Sequence, residues 1–225
     1  MQNNIVRRNL IWALIINLII FELEVMGLYF SVLRWNYNTF QFYTNNSNYL
    51  ALIISGIFCI SCVYSLKTKT PIANWIRVLR FISTTCLTLT LTIVLFVLLP
   101  MLPSSFNFMM VQTSNLFYHV LCPILSIISF VFFENQQKLT RSSIYFAVLP
   151  TVIYGLIAII LNILKVIEGP YPFFYVYEMP WHFSTVWCIG IVLYTYLIAL
   201  SLYGFYNFKH YKLEAKSSSN QQAPL

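Results

Sequence analysis

Long apolar runs dominate the chain and are separated by short polar stretches. Six of the runs reach the length of about 20 mainly apolar residues that a helix needs to cross a bilayer. They extend over Leu10 to Ser31, Phe40 to Ser65, Val78 to Leu99, Ser114 to Phe133, Ile144 to Leu164 and Ser184 to Tyr206. The pattern therefore predicts an all-α integral membrane protein built as a bundle of six transmembrane helices.

The composition supports lipid as the main solvent of this chain. Of its 225 residues, 59% are hydrophobic and 8% are charged, with a mean hydropathy of +0.74. Soluble domains carry about 25% charged residues, so an ordinary soluble domain is excluded. The segment Glu214 to Leu225 differs, because it is polar and has no apolar face to bury. We therefore predict a helical domain over residues 1–213 and a disordered cytoplasmic tail over 214–225.

The basic residues are distributed as the positive-inside rule describes. One side of the predicted bundle has only Arg34 and Lys165, whereas the loops and tails of the other side hold the remaining eleven basic residues. This bias predicts that both termini are cytoplasmic and that the protein is a multi-pass component of the plasma (cytoplasmic) membrane. Topology thus accounts for the net charge of +7, and since the cations form no single patch we predict no nucleic-acid partner.

The chain offers no pattern typical of a metal or a cofactor. It contains no Asp, and its five Cys lie inside apolar runs, where they are small packing residues. The pair Cys59 and Cys62 has no second pair and no nearby His ligand. A Walker motif, a dinucleotide fingerprint, an H-E-x-x-H motif and a nucleophile elbow are also missing from the sequence. We therefore predict no cofactor and no metal site.

Polar residues deep within the first run indicate its buried face. Asn17, Glu24 and Ser31 recur every seven residues, which places them on one face of a helix. Glu22 lies about 200° away from Glu24, so Glu24 is the residue we expect inside the bundle. A carboxyl at this depth has two interpretations, a protonated or hydrogen-bonded structural group or a contact for a ligand.

Two further stripes of small and polar residues follow the helical period. In the second run the stripe consists of Thr44, Asn48, Ala51, Ser55, Cys59 and Cys62. In the fourth run it consists of His119, Cys122, Ser126 and Ser129. Pro123 is expected to distort the helix locally. Both stripes are expected to face protein, because small residues allow membrane helices to approach each other.

Thr44 and His119 are expected at similar depths. Each lies about four or five residues inside the same boundary of its span, so the two side chains could meet if the second and fourth helices are neighbours. A threonine hydroxyl is a poor nucleophile until a base removes its proton, and a neutral imidazole can be that base. The pair would form an acyl-transfer centre, whereas a histidine without such a partner is a hydrogen-bonded packing residue.

Three motifs carry a family resemblance: QFYTNNSNYLALI, LFYHVLCPIL and EGPYPFF, in this order along a six-span chain. The chain resembles the androgen-induced membrane hydrolases, the family of the androgen-dependent TFPI-regulating protein, together with their bacterial six-span relatives. In that family the threonine of a Phe-x-Thr motif and an intramembrane histidine shortly before a proline hydrolyse fatty acid esters of hydroxy fatty acids. These positions correspond to Thr44 and His119.

The resemblance implies an intramembrane hydrolase of lipid esters, in which Thr44 attacks the ester and His119 takes and returns the proton. Oxyanion donors would be needed, and Asn45, Asn48 and the hydroxyl of Tyr118 are chemically able to serve. The chain departs from the family at one point. The bacterial relatives commonly have an acidic residue and a tryptophan where this chain has Ser129 and Phe130.

A different class of function stays open from the sequence. A six-helix bundle can hold a small or lipid-like ligand as a non-catalytic binding or transport component, with Glu24 as a ligand or proton partner. The sequence does not select an oligomeric state. The aromatic cluster near the last loop is interpreted as a belt at the membrane interface rather than a gate for the substrate; it comprises Tyr171, Phe173, Phe174, Tyr175, Tyr177 and Trp181.

Overall fold

The computed structural model describes residues 2–112, 114–178 and 180–221, with the side chains of 2–3, 103 and 214–221 left out of the description. Within these residues the chain is helical and contains no β-strand, and six helices are long and apolar enough to cross a membrane. The predicted six-span bundle is confirmed in this respect. The helices are α1 (Gln2–Trp35), α2 (Tyr43–Thr68), α3 (Asn74–Met101), α4 (Ser114–Phe133), α5 (Ser143–Ile163) and α6 (Trp181–Gln221).

Six successive helices place Gln2 and Gln221 toward one face of the bundle, here called the terminal face. The described residues of the connections 36–42, 102–112 and 164–178 lie on the opposite face, here called the loop face. The backbone of 214–221 continues α6 as far as Gln221, and residues 222–225 lie outside the described residues. The disordered tail therefore stays a prediction. Short helical turns in the loop-face connections are Asn36–Gln41, Pro103–Ser105, Phe106–Met110 and Pro172–Phe174.

The three polar faces predicted from the helical period are buried, as expected. Asn17 and Glu24 are inaccessible and Ser31 is 1% exposed, whereas Glu22 faces outward. Every member of the stripes on α2 and α4 is also buried. These faces meet because α1 packs against both α2 and α4. Small side chains at the contact let the backbones approach closely, which provides packing where lipid supplies no hydrophobic drive.

Two helices widen into a π-helical turn shortly before a proline. The turns are Val94–Leu98 in α3, ahead of Pro100, and Phe117–Leu121 in α4, ahead of Pro123. A proline in a helix clashes with the carbonyl four residues earlier, and in both cases that carbonyl lies within the widened turn. A π turn relieves the clash by bonding each N–H to the carbonyl five residues back. The turn in α4 carries His119, so the backbone around this residue is not regular.

A buried ion pair joins α3 to the end of α4 near the terminal face. Nη2 of Arg80 lies 2.8 Å from Oε1 of Glu134, and the two side chains are 0% and 2% exposed. The same carboxylate accepts hydrogen bonds from Asn17 of α1 at 3.0 Å and from Ser129 at 2.6 Å. Three helices are therefore fixed to one carboxylate.

The position of Arg80 corrects an expectation from the sequence. Arg77 and Arg80 had been assigned to a cytoplasmic loop, but both are buried within α3. Arg77 donates to the carbonyls of Gln137 and Lys138, which fixes the connection between α4 and α5. The two arginines therefore hold the bundle together instead of contributing to a charged loop surface.

We expect Glu134→Gln to lower the free energy of unfolding by about 3–5 kcal/mol, because it leaves the Arg80 guanidinium buried without a counter-charge. The measurement is the thermal midpoint of the full chain in detergent. Glu178→Gln is the matched control, since Glu178 is exposed on the loop face. Equal midpoints for the two variants would show that the ion pair does not stabilise the bundle.

Candidate functional site

A cavity of about 350 Å³ lies between α2, α3, α5 and α6, in the half of the bundle next to the loop face. Most of its wall consists of aliphatic and aromatic side chains, and every described residue that lines it is uncharged. Its size falls within the range of about 300–1,000 Å³ typical of small-molecule sites. The polar groups on its wall are the hydroxyls and the thiol of Tyr43, Thr44, Thr90, Thr151, Tyr154, Tyr171 and Cys188.

The connection between α5 and α6 closes the cavity toward the loop face. Phe173 and Phe174 are each 4% exposed and line the cavity. Phe173 stacks between two other rings, at 5.2 Å from Tyr171 and 5.6 Å from Trp187. The interpretation of this cluster as an interfacial belt is therefore wrong for Phe173 and Phe174. They are buried packing residues, whereas Tyr177 and Trp181 are exposed.

Thr44 lies on the cavity wall at the start of α2. Because α2 begins at Tyr43, the N–H of Thr44 has no acceptor within the helix. It donates to the hydroxyl oxygen of Tyr171 at 3.3 Å, and the same hydroxyl lies 3.4 Å from Oγ1 of Thr44. Three groups are therefore close together at this point. They are the hydroxyl of Thr44, the N–H of Thr44 at the start of α2, and the phenol of Tyr171.

The hydroxyl of Tyr171 is suited to donate a hydrogen bond. Burial raises the pKa of Tyr171 above its ordinary value of about 10, so the group stays protonated at neutral pH. Its oxygen accepts from Thr44 N–H, which leaves its proton available for another oxygen. The N terminus of α2 adds a partial positive charge at the same point. Together these groups can stabilise negative charge that develops on a ligand oxygen.

Further hydroxyl contacts fix the start of α2 to its neighbours. Tyr43 and Thr151 of α5 share a hydrogen bond of 2.9 Å, and Ser47 shares one of the same length with Thr90 of α3. Ser47 also donates to the carbonyl of Thr44 at 2.8 Å. The backbone that carries Thr44 is therefore held from α3 and α5, so its hydroxyl has a defined position on the wall.

His119 is buried in the π-helical turn of α4 but does not line the cavity. Its Nδ1 lies 2.5 Å from the carbonyl oxygen of Met109, which requires Nδ1 to carry the proton. Nε2 is then the nitrogen with a free lone pair, as a general base needs. Among the described residues no hydrogen bond joins His119 to Thr44.

Asn48 nevertheless brings the two backbones together. Its Nδ2 donates to the carbonyl of Thr44 at 2.7 Å and to the carbonyl of Tyr118 at 3.4 Å. The second and fourth spans are therefore neighbours at this depth, as the sequence required for a Thr44–His119 pair. The side chains point to different partners, Tyr171 and Met109, so the catalytic pair itself stays a prediction.

The other predicted contact residues lie away from the cavity wall. Asn45 donates to the hydroxyl and the carbonyl of Thr39, and so fixes the turn before α2. The ring of Tyr118 packs against Gly27 of α1. Glu24 is fully buried beside Cys122. Of the residues predicted to bind substrate or to react with it, Thr44 is the one that lines the cavity.

The wall residues that the sequence left unassigned are mainly Tyr43, Thr151 and Tyr154. The sequence indicates two of these residues only by their positions. Tyr43 directly precedes Thr44, and Thr151 follows Pro150 within an apolar run. The hydroxyl of Ser129 donates to the carboxylate of Glu134 at 2.6 Å. Among the described residues no group of three or more His, Cys, Asp or Glu side chains is placed to hold a metal ion.

No family model, no curated protein and no solved structure matches this chain. The resemblance to the androgen-induced hydrolases therefore depends on the three motifs alone and remains a prediction.

We expect Gly27→Ala to destabilise the protein by about 1–3 kcal/mol, because an added methyl overpacks the contact between α1 and α4. A Cβ at Gly27 would lie 2.9 Å from Cζ of Tyr118, whose ring is fully buried and has no space to move. Gly204→Ala is the control, since nothing lies within 4 Å of a Cβ at that position. Thermal midpoints in detergent measure the effect. The contact would be unimportant if Gly27→Ala were as stable as its control.

Proposed function

We propose that the chain is an intramembrane hydrolase of lipid esters, of the fatty acid ester of hydroxy fatty acid type, with Thr44 as nucleophile and His119 as general base. The observation that carries this proposal is the position of Thr44. Thr44 lines a cavity whose described residues are uncharged, and its N–H and Oγ1 lie 3.3 and 3.4 Å from the hydroxyl of Tyr171. An acyl chain would occupy the cavity and present its ester carbonyl to Thr44.

The proposed reaction has two acyl-transfer steps. Oγ1 of Thr44 attacks the ester carbonyl while Nε2 of His119 accepts the hydroxyl proton. The carbonyl oxygen becomes an oxyanion that accepts a hydrogen bond from the hydroxyl of Tyr171, whose own oxygen accepts from the N–H of Thr44. Collapse of this intermediate breaks the ester C–O bond, and the proton on His119 passes to the leaving alcohol. His119 then deprotonates a water molecule, which attacks the acyl-threonine ester. The C–Oγ1 bond breaks, His119 returns the proton to Oγ1 of Thr44, and the fatty acid is released.

His119 must turn or shift toward Thr44 for this reaction. Two features support such a change. The π-helical turn that carries His119 departs from regular helix, and π turns occur frequently at functional sites. Asn48 bonds to the backbones of both Thr44 and Tyr118, which keeps α2 and α4 adjacent at this depth. Catalytic hydrogen bonds are often long or misaligned before substrate binds.

The orientation of the protein follows from its charges. We propose that the terminal face is cytoplasmic and that the membrane is the plasma (cytoplasmic) membrane, because Arg7, Arg8, Lys67, Lys69 and Lys138 all lie toward that face. The cavity would then lie in the outer half of the bilayer. A cysteine introduced at Lys138 should react with a membrane-permeant maleimide only, and one at Lys165 also with an impermeant maleimide. The reverse labelling pattern would show that the terminal face lies on the outer side of the membrane and would contradict the proposed orientation.

The hydrolase proposal is tested with purified protein and a fatty acid ester of a hydroxy fatty acid. We expect Thr44→Ala and His119→Ala each to lower kcat/KM by about a hundredfold or more, since each removes a group that acts in the transition state. Tyr171→Phe should lower kcat by about tenfold or more through loss of an oxyanion donor. An acylating probe should label Thr44 in the wild-type protein.

Cys188→Ala is the matched control. It removes another polar group from the cavity wall, one that the proposed reaction does not use. This variant should retain most of the activity. Wild-type hydrolysis by Thr44→Ala, or by His119→Ala, would overturn the proposed mechanism.

A second candidate is a non-catalytic binding or transport component for a small or lipid-like ligand. The observation that favours it is that the hydroxyl of Thr44 lies beside Tyr171 and has no hydrogen bond to His119. Tight binding of the ester without turnover and without labelling of Thr44 would support this function instead.

A further inference from the structure

The side of the cavity that faces the bilayer is formed by residues with two environments. Leu156 of α5 and Ile189 and Leu193 of α6 line the cavity. The same residues are 57%, 56% and 59% exposed at the outer surface of the bundle. Each of them therefore lies where the cavity meets the outer surface of the bundle. The cavity borders the bilayer at this point.

The packing of α5 and α6 differs between the two halves of the bundle. Toward the terminal face the two helices share a buried cluster that includes Ala147, Ile198 and Ala199. Toward the loop face the buried cluster includes Phe173 and Phe174 of the connecting segment. Both helices line the cavity in this second half, and the place where they border it is here called the gap between α5 and α6.

Gly155 enlarges this gap. It lines the cavity, and no heavy atom lies within 4 Å of the position that its Cβ would occupy. A larger residue in the middle of α5 would favour the helix, since glycine costs about 1 kcal/mol relative to alanine there. The open space beside Gly155 is therefore not a requirement of the local backbone.

The route from the loop face is closed by comparison. Phe173 and Phe174 belong to the turn Pro172–Phe174 and are buried. Phe173 also stacks on Trp187. A molecule that enters from water on this face would have to displace these rings. A molecule that enters from the bilayer would have to move only the partly exposed side chains of Leu156, Ile189 and Leu193.

The volume and the charge of the cavity restrict what it can hold. An apolar cavity of about 150 Å³ holds one benzene molecule, so this cavity holds roughly a dozen carbon atoms. One alkyl chain fits, but a whole two-chain ester does not. A carboxylate or phosphate inside would have no counter-charge on the described wall, and an unpaired buried charge is strongly disfavoured.

We propose that the gap between α5 and α6 is a lateral portal through which a membrane-dissolved lipid inserts one uncharged alkyl chain into the cavity. The rest of the molecule, including any charged group, stays in the bilayer. The role of Thr44 toward an ester rests on the proposed function, whereas entry through the portal does not require turnover.

The experiment uses the full chain in phosphatidylcholine vesicles and a photoreactive ester of dodecanoic acid with a diazirine near the end of its chain. Light-induced labelling measures occupancy of the cavity. We expect Gly155→Leu and Leu193→Trp each to lower labelling of the cavity residues by about fivefold or more, because the added atoms fill the portal. The same probe with a carboxylate at the end of its chain should lower labelling of the cavity residues by about tenfold or more.

Matched controls separate the portal from general effects of the substitutions. Leu197 lies one turn beyond Leu193 on α6 and is 56% exposed, but does not line the cavity. Gly204 also has free space around its Cβ and lies outside the cavity wall. Leu197→Trp and Gly204→Leu should label like the wild type. Equal labelling of Leu193→Trp and Leu197→Trp, or of the neutral and carboxylate probes, would overturn the portal.

The outcome is distinguishable from failure of the hydrolase proposal. Thr44→Ala should retain labelling, because it removes a reacting group and leaves the portal intact. If the wild-type protein shows no ester turnover but the portal variants lose labelling, the protein binds lipid through the portal without hydrolysing it. If turnover depends on Thr44 and the portal variants label normally, the chain enters by another route.

Discussion

The carboxylate of Glu134 is the interaction on which the arrangement of the bundle depends. It accepts hydrogen bonds from Arg80 of α3, Asn17 of α1 and Ser129 of α4, and the carbonyl of the same residue accepts from Tyr206 of α6. Four of the six helices are thus tied together near the terminal face. In a medium without water each of these groups must find its partner within the protein. This requirement fixes the relative positions of the helices at one end.

The opposite half of the bundle is less constrained, and it contains the cavity. There Phe173 and Phe174 belong to the buried cluster, and the polar contacts around the cavity include pairs of hydroxyls, Tyr43 with Thr151 and Ser47 with Thr90. The end near the terminal face contains the ion pair and fixes the helices to one another. The end near the loop face is uncharged around the cavity and can accommodate a ligand. Thr44 lies at the junction of a helix N terminus with this second part.

The sequence predicted the six spans and the three buried polar faces, because both depend on the local period of apolar and polar residues. It did not predict the ion pair, because Arg80 and Glu134 are far apart in the chain and meet only when α3 and α4 pack together. Arg80 lies at the start of the third apolar run, so its charge alone suggests a position in the adjacent loop. Thr44 and His119 are expected at the same depth from their positions within the spans, but these positions do not determine the direction of either side chain. That direction is set by Tyr171 and Met109, which lie in connections whose course the sequence did not reveal.

The π turn of α4 has a consequence for the register of the helix. It contains about one residue more than a regular turn, so the residues before it are rotated by about 100° relative to those after it. The serine stripe of Ser126 and Ser129 lies after the turn, and Asn115 lies before it. A homologue without the extra residue could place its histidine at the same point in space with a spacing to the stripe that is shorter by one. Loss of a single codon here would reorient the start of the span while leaving the ion-paired end of the bundle unchanged.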